Sequence, residues 1–366
     1  MNQTTNSKLP KRFLTEKTFQ GYFFEDFEIN QQLIHGTPRT ITSGDISLYI
    51  ALTGSQHLLN CAETVAQACG FKRLPIDNLL LFHIAFGKTV PDISLNAVAN
   101  LGYANCRFSS PIFAGDTISV TSKVIGLKEN SNGKTGIVYV HSIAKNQHDT
   151  TVVEWKRWVM VHKKTPSAPM GIDHIPDLES SVTINQNLIP DDLNFDNFSS
   201  DWTACKHRLT HYQVGEIINH RQGMTINDSD HSLATRLYQN NARVHFDQHM
   251  MSQSAAGKRL VYGGHIMSLC RAITHSGLAN GLWLTAINGG AHLNPSFAGD
   301  TVYAASIILD KGHFDNREDI GWLRLKTYGF KNIDEETINE LMMEPEQLRI
   351  SKQCVLELDY TLLMPN

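Results

Sequence analysis

Residues 110–125 read SPIFAGDTISVTSKVI, and residues 294–309 read NPSFAGDTVYAASIIL; both contain Phe-Ala-Gly-Asp-Thr. Phe113 and Phe297 lie 297 − 113 = 184 positions apart, about half of the 366-residue chain. A chance pentapeptide would leave its neighbours unrelated, and here the neighbours match as well. Upstream, RTITSGDISLYIALTG faces MTINDSDHSLATRLYQ. Asp45 and Asp230 each follow a Thr-Ile pair and precede a Ser-Leu pair, 230 − 45 = 185 positions apart. Between these points FKRLPIDNLLLFHIAFG faces GKRLVYGGHIMSLCRAITHSG, with Arg73 against Arg259 (259 − 73 = 186). The segments that open the two copies, FFEDFEINQQLIHG and YQVGEIINHRQG, correspond too. One unit has been built twice.

The copies predict three regions: a first unit over residues 1–164, a connector over 165–203, and a second unit over 204–366. The connector holds Pro166, Pro169, Pro176 and Pro190, four of the twelve prolines, and has no helical or strand period. Each unit opens with a short helix pattern, from Asp45 to Leu52 and from Asp230 to Leu237. A second helix pattern follows, NLLLFHIAF ended by Gly87 and HIMSLCRAITHS ended by Gly277. It is apolar nearly all round, which predicts burial. Next come runs of β-branched and aromatic residues bounded by Gly, Asn and Asp: TISVTSKVI, TGIVYVHSIA and VVEWKRWVMV, then TVYAASIIL, GWLRLKTYGF and CVLELDYTLLM. A buried helix followed by an antiparallel meander describes a sheet wrapped around a central helix. The expected class is therefore α+β, a double hotdog. The second unit also carries an acidic segment, residues 331–351, expected to be a helical insertion.

Composition narrows the functional classes. The chain is 41% hydrophobic and 19% charged, with net charge −4 and no long basic run, which argues against nucleic acid as its partner. The N-terminal MNQTTNSKLPKRFLTEK lacks the apolar core of a leader peptide. No apolar run reaches spanning length, so no membrane segment is expected. Six scattered cysteines without a Cys-x-x-Cys pair suit free thiols in a reducing compartment. A cytoplasmic protein is the expectation.

The stretch LYQNNARVHFDQHM, residues 237–250, links the first helix of the second unit to the turn GKRLVYGGH, which opens the buried helix. His245 lies in this link, and Gly263 and Gly264 lie at the helix start. A helix N-terminus presents unpaired N–H groups and the positive end of its dipole, suited to a thioester oxygen that gains charge during reaction. A histidine beside it can move protons. Such a histidine also suits a plain hydrogen-bonding role. His245 and His249 are four apart, but Phe246 stands where a zincin motif needs Glu, so no metal site is expected. His207 and His211 have the same spacing and are expected at the surface.

These residues resemble the MaoC-type, hydratase-2 branch of acyl-CoA hydratases, whose motif is Asp-x-Asn-Pro-x-His followed by a His-Gly that opens the central helix. The motif's His falls on His245, its Asp on Asn240, its Asn on Ala242 and its Pro on Arg243. The helix-opening Gly falls on Gly263, and the His before it on Tyr262. The Asn240 variation resembles the double-hotdog subgroup acting on β-methylmalyl-CoA and mesaconyl-CoA. QNNARVHFD, RLVYGGH, FAGDTVYA, LKENSNGKTGIVYV and RWVMV are all similar to it. The resemblance implies reversible hydration of an α,β-unsaturated acyl-CoA, a lyase reaction with no cofactor beyond the coenzyme A of the substrate.

On that reading His245 is the proton carrier, Gly263 the enolate stabiliser, and Asn240 a group whose oxygen fixes a water. Tyr262 and Gly264 border the acyl group, and Asp247 orients the imidazole or caps a loop. Arg243 reads the free carboxylate of a dicarboxylic acyl group, or makes an ion pair with Asp247 or Asp230. In the first unit the same alignment sets Ser55 at the Asp position, Asn60 at the His position and Asp77 at the Gly263 position, which predicts a silent site. Coenzyme A carries about four negative charges, for which Lys163 with Lys164, Lys258 with Arg259, and Arg221 are candidates. Two other classes stay open: a hotdog thioesterase dependent on Asp77, and a non-catalytic acyl-CoA-binding module. A monomer with its two units paired internally and a further homodimer are both compatible.

Overall fold

The computed structural model describes residues 14, 15, 17–166 and 171–366. Residues 1–13 and 16, within the segment read as lacking a leader core, and residues 167–170 of the expected connector lie outside the described residues. In the first unit β1 (Gln32–Ile34) and β2 (Arg39–Thr40) lead into α1 (Ser43–Thr53), α2 (Leu58–Cys61), α3 (Glu63–Ala68) and α4 (Asn78–Thr89). Strands β3 (Ala97–Phe108), β4 (Thr117–Glu129), β5 (Thr135–Lys145) and β6 (Thr151–His162) follow, with the short β7 (Asp173–His174) in the connector. The second unit repeats the order: β8 (Ile217–Thr225), α5 (Asp228–Leu237), α6 (Arg243–Phe246), α7 (Gln248–Ser252), α8 (Gly263–Ile273), α9 (His275–Leu278), β9 (Trp283–His292), β10 (Thr301–Phe314) and β11 (Arg317–Lys331). The insertion then forms α10 (Glu335–Met343) and α11 (Pro345–Leu348) before β12 (Cys354–Pro365).

Among the described residues the strands form one antiparallel sheet in the order β1-β4-β5-β6-β3-β9-β12-β11-β10-β8. The units meet where β3 pairs with β9, Tyr103 opposite Gly290 and Arg107 opposite Ala286. These two strands are absent from the sequence expectation. Their NLGYANCRF and WLTAINGGAH runs mix Gly, Ala and Asn, and their strand form comes from pairing with each other rather than from local preference.

The repeated pentapeptide is a repeated turn. Asp116 accepts the Phe113 N–H (2.8 Å) and Asp300 accepts the Phe297 N–H (2.9 Å). Gly115 and Gly299 hold φ of 102° and 95°, the left-handed region that favours glycine. Their N–H groups donate to Ile41 and Ile226 at 2.7 and 2.8 Å. The same turn thereby pins the lead-in to each first helix.

Helix α4 is buried along its whole length. Leu79, Leu80, Leu81, Phe82, Ile84 and Phe86 each contribute about 1.5–3 kcal/mol by leaving water. The helix does not stop at Gly87, as the sequence suggested, but runs to Thr89. Gly87 has a different purpose: a Cβ there would lie 2.0 Å from the Tyr238 carbonyl oxygen, so the missing side chain lets the second unit cross α4. Likewise α8 ends at Ile273, and Gly277 (φ 104°) sits inside the short turn beyond it. The six cysteines are free, and four are buried. Among the described residues no helix is long and apolar enough to cross a membrane.

Candidate active site

A cavity of about 350 Å³ opens at the seam between the units. Asn240, His245, Tyr262, Gly263, His292 and Ser296 form its second-unit wall; Phe86, Ser94, Asn100, Tyr103 and Arg157 form its first-unit wall. Helix α6 is a single turn whose N–H at His245 returns to the Ala242 carbonyl, and this turns the imidazole inward, leaving the residue 7% exposed.

The His245 Nδ1 lies 2.8 Å from the Leu260 carbonyl oxygen. A carbonyl only accepts, so Nδ1 carries the proton and Nε2 keeps its lone pair. Burial pushes this imidazole down to about 4, partly opposed by the Leu260 hydrogen bond, so the ring is neutral at ordinary pH. Leu260 holds the ring where Asp247 had been expected. The Asp247 carboxylate is exposed and caps α7 by accepting the Met250 N–H at 2.9 Å, because that helix start supplies the nearer donor.

Helix α8 begins at Gly263, and among the described residues no side chain caps it. Its first hydrogen bond runs from the His265 N–H to the Tyr262 carbonyl (2.9 Å), so the Gly263 and Gly264 N–H groups stay outside the helical ladder. The first unit differs at the equivalent place. There Asp77 caps α4, accepting the Leu79 N–H at 2.8 Å, and occupies the helix start with its own carboxylate. Helix starts at Asn78 and Gly263 (263 − 78 = 185) correct the alignment by one residue: Asn78, not Asp77, stands where Gly263 stands. The space around Asp77, His57, Asn60 and Arg271 holds only about 10 Å³, too little for an acyl chain.

The other expected residues fall as follows. Asn240 lines the cavity and is 2% exposed, but its Oδ1 accepts the Ala242 N–H (3.1 Å), so the loop engages the oxygen that had been assigned to a water. Tyr262 packs 5.6 Å from the His245 ring, and its hydroxyl has no partner among the described residues. Gly264 lies against the Tyr262 and His83 rings. Arg243 is exposed on α6 and lies outside the cavity wall, since the turn that points His245 inward points Arg243 outward. Lys163 is buried in an ion pair with Glu129 at 2.6 Å and is not a surface receptor for phosphate. Arg259 pairs with Asp228 and Arg221 with Glu335. His207 and His211 are exposed.

Sequence reasoning missed His292, Tyr103 and Arg157. The His292 ring lies over Gly263: a Cβ there would sit 2.5 Å from Cε1. Its Nε2 is 3.0 Å from the Tyr103 hydroxyl of the first unit. Burial pushes His292 down to about 4 as well. A signal for Arg157 did exist. The period of two in VVEWKRWVMV sets Arg157 on the face of Trp155 and Val159, a cation on an apolar face.

The sequence model of the mesaconyl-CoA hydratase family matches residues 3–339. The chain is 49% identical to beta-methylmalyl-CoA dehydratase of Chloroflexus aurantiacus, over 96% of this chain and 99% of that one. It is 44% identical to mesaconyl-CoA hydratase of Cereibacter sphaeroides, over 95% and 99%. Among solved structures, a MaoC domain protein dehydratase from Chloroflexus aurantiacus superposes with TM-score 0.92 at 49% identity, covering 96% of this chain and 99% of that one. A Mycobacterium tuberculosis protein described as a double hotdog fold superposes with TM-score 0.76 at 20% identity, over 95% and 99%, and shares the fold.

Proposed function

The chain belongs to the mesaconyl-CoA hydratase family, and on that premise we propose that it reversibly hydrates mesaconyl-CoA to β-methylmalyl-CoA in the seam cavity. The observation that carries the reading is a neutral, buried His245 facing the same cavity as an uncapped helix N-terminus.

In the hydration direction a water oxygen bonds to the β-carbon while its proton passes to His245 Nε2. The carbon–carbon π electrons move onto the thioester oxygen as an enolate. The Gly263 and Gly264 N–H groups, aligned with the α8 dipole, hold that charge. The imidazolium then returns a proton to the α-carbon, and the thioester re-forms. Dehydration is the reverse. A single histidine serves both transfers, since the Asn240 amide does not ionise; its NH₂ group remains to orient the water or the thioester. The Leu260 carbonyl fixes the tautomer and favours the imidazolium as it forms.

The test is a mass-resolved incubation with mesaconyl-CoA, crotonyl-CoA and a saturated acyl-CoA. Gain of one water on mesaconyl-CoA, lost in His245→Ala, is the expected result. Free coenzyme A from the saturated thioester, unaffected by that substitution, would transfer the activity to a thioesterase.

A further inference from the structure

Two arginines are buried at matching places in the two units. Phe86 and Arg271 are each eight residues into their central helices (86 − 78 = 8; 271 − 263 = 8). Strand register sets Tyr103 opposite Arg157 and Ile287 opposite Tyr360, which makes Arg157 and Tyr360 counterparts. Arg157 stacks over the Phe86 ring at 4.2 Å, and Arg271 lies 6.0 Å over Tyr360. Cation and ring have exchanged places between helix and strand.

The two cations differ in what neutralises them. Arg271 faces Asp77 across the small closed space of the first unit, and each favours the charged form of the other. Its guanidinium also donates to Thr274 Oγ1 and the Gly281 carbonyl, both at 2.9 Å. Among the described residues neither arginine has a carboxylate within ion-pair distance, but the Asp77 charge acts on Arg271, whereas the 1% exposed Arg157 feels only Tyr103 and Tyr262. It donates to Thr89 Oγ1 (2.9 Å) and, at 3.5 Å, towards Asn100 Oδ1. Among the described residues its Nε–H has no acceptor, and Asn100 Nδ2 and Ser94 Oγ also have no partner. All three residues line the seam cavity. A desolvated guanidinium without an anion is costly, and the stacked ring offsets only part of that cost.

We propose that Arg157, together with Asn100, receives the free carboxylate at the end of the acyl group away from the thioester, so that the first unit supplies the selectivity for dicarboxylic substrates. The proposal rests on the hydratase reading above and gives the first unit the task that Arg243 cannot perform from the surface. A carboxylate there accepts from the guanidinium fork and from the Asn100 amide. A plain enoyl chain would set a methyl group against the same donors and leave them unpaired, the situation in which a polar site discriminates most strongly.

The experiment compares kcat/KM for mesaconyl-CoA and crotonyl-CoA in wild type, Arg157→Met and Arg157→Lys. It is paired with calorimetric binding of two inert saturated thioesters, methylsuccinyl-CoA and butyryl-CoA. Expected is a loss of about 100-fold or more on mesaconyl-CoA in Arg157→Met, with crotonyl-CoA turnover within about 5-fold of wild type. The preference for methylsuccinyl-CoA over butyryl-CoA should disappear in Arg157→Met. Arg157→Lys, which keeps the charge and the fold but not the fork, should fall between. Equal losses on both substrates in both variants, or an unchanged binding preference, would overturn the proposal. Binding separates the two readings: an Arg157-dependent preference in a protein that hydrates neither substrate supports the carboxylate site and removes the hydratase.

Discussion

Acid should unfold this protein through its histidines. Burial pushes His220, His245, His265 and His292 each down to about 4, and His57 and His83 well below their ordinary value. An exposed imidazole in the unfolded chain titrates near 6.5, so between about pH 6.5 and 4 the unfolded state binds more protons. This stability is complete above pH 6.5 and is lost as pH falls towards 4. For one such group the linkage gives a loss of about 2 kcal/mol at pH 5, hence ~8 kcal/mol for the four, against typical total stabilities of ~5–15 kcal/mol. Asp77, whose carboxyl burial raises, works in the opposite sense and takes back at most one proton. Urea unfolding from pH 7.5 to 5 should show stability falling by about 5 kcal/mol or more per pH unit near pH 5, since these four alone take up three to four protons and His57 and His83 add to them. His265→Gln should lower that uptake by about one. A slope of one proton or fewer, or a stability maximum below pH 5, would refute the reasoning.

Three further outcomes are expected. Gly87→Ala forces a methyl group onto the Tyr238 carbonyl oxygen and should cost about 3 kcal/mol in chemical denaturation; a loss below ~1 kcal/mol would mean that the crossing is not tight. Gly263→Ala drives the His292 ring off the start of α8 and breaks its bond to Tyr103, so kcat for hydration should fall about 100-fold while the protein stays folded; a wild-type kcat would remove the helix start from the mechanism. Asp77→Ala should lower stability by about 1–3 kcal/mol through loss of the α4 cap and of the anion facing Arg271, with hydration within about 2-fold; abolished turnover would move the chemistry to the first unit.

The repeat, the central helices and the neighbourhood of His245 and Gly263 were legible because each is written locally. A pentapeptide marks a turn, an unbroken apolar run marks a buried helix, and His245 and Tyr262 lie on one loop and the helix start it leads to. What stayed hidden depends on partners distant in sequence. Strands β3 and β9 owe their form to each other across the seam. The Leu260 carbonyl that holds His245 is a backbone group that no spacing rule reveals. Arg243 was a sound chemical choice in the wrong direction, because residues two apart on a helix lie about 200° apart, so the turn that faces His245 to the cavity carries Arg243 to the surface. Arg157 showed only as one charge in a strand, and its importance comes from the cavity that the other unit completes.

The exchange of ring and cation between Phe86–Arg157 and Arg271–Tyr360 has a consequence for how such a protein can change. A dimer of identical units must carry every substitution twice, once in each symmetric site. An arginine that improves one pocket would then appear in both, and a glycine kept for one helix start would be kept in the other. Joining the copies in a single chain releases that constraint. One crossing has placed its charge beside an internal carboxylate and closed; the other has set its charge in the wall of a cavity that stays open. On the reading proposed above, the second half keeps the reaction while the first is free to choose the molecule on which it is performed.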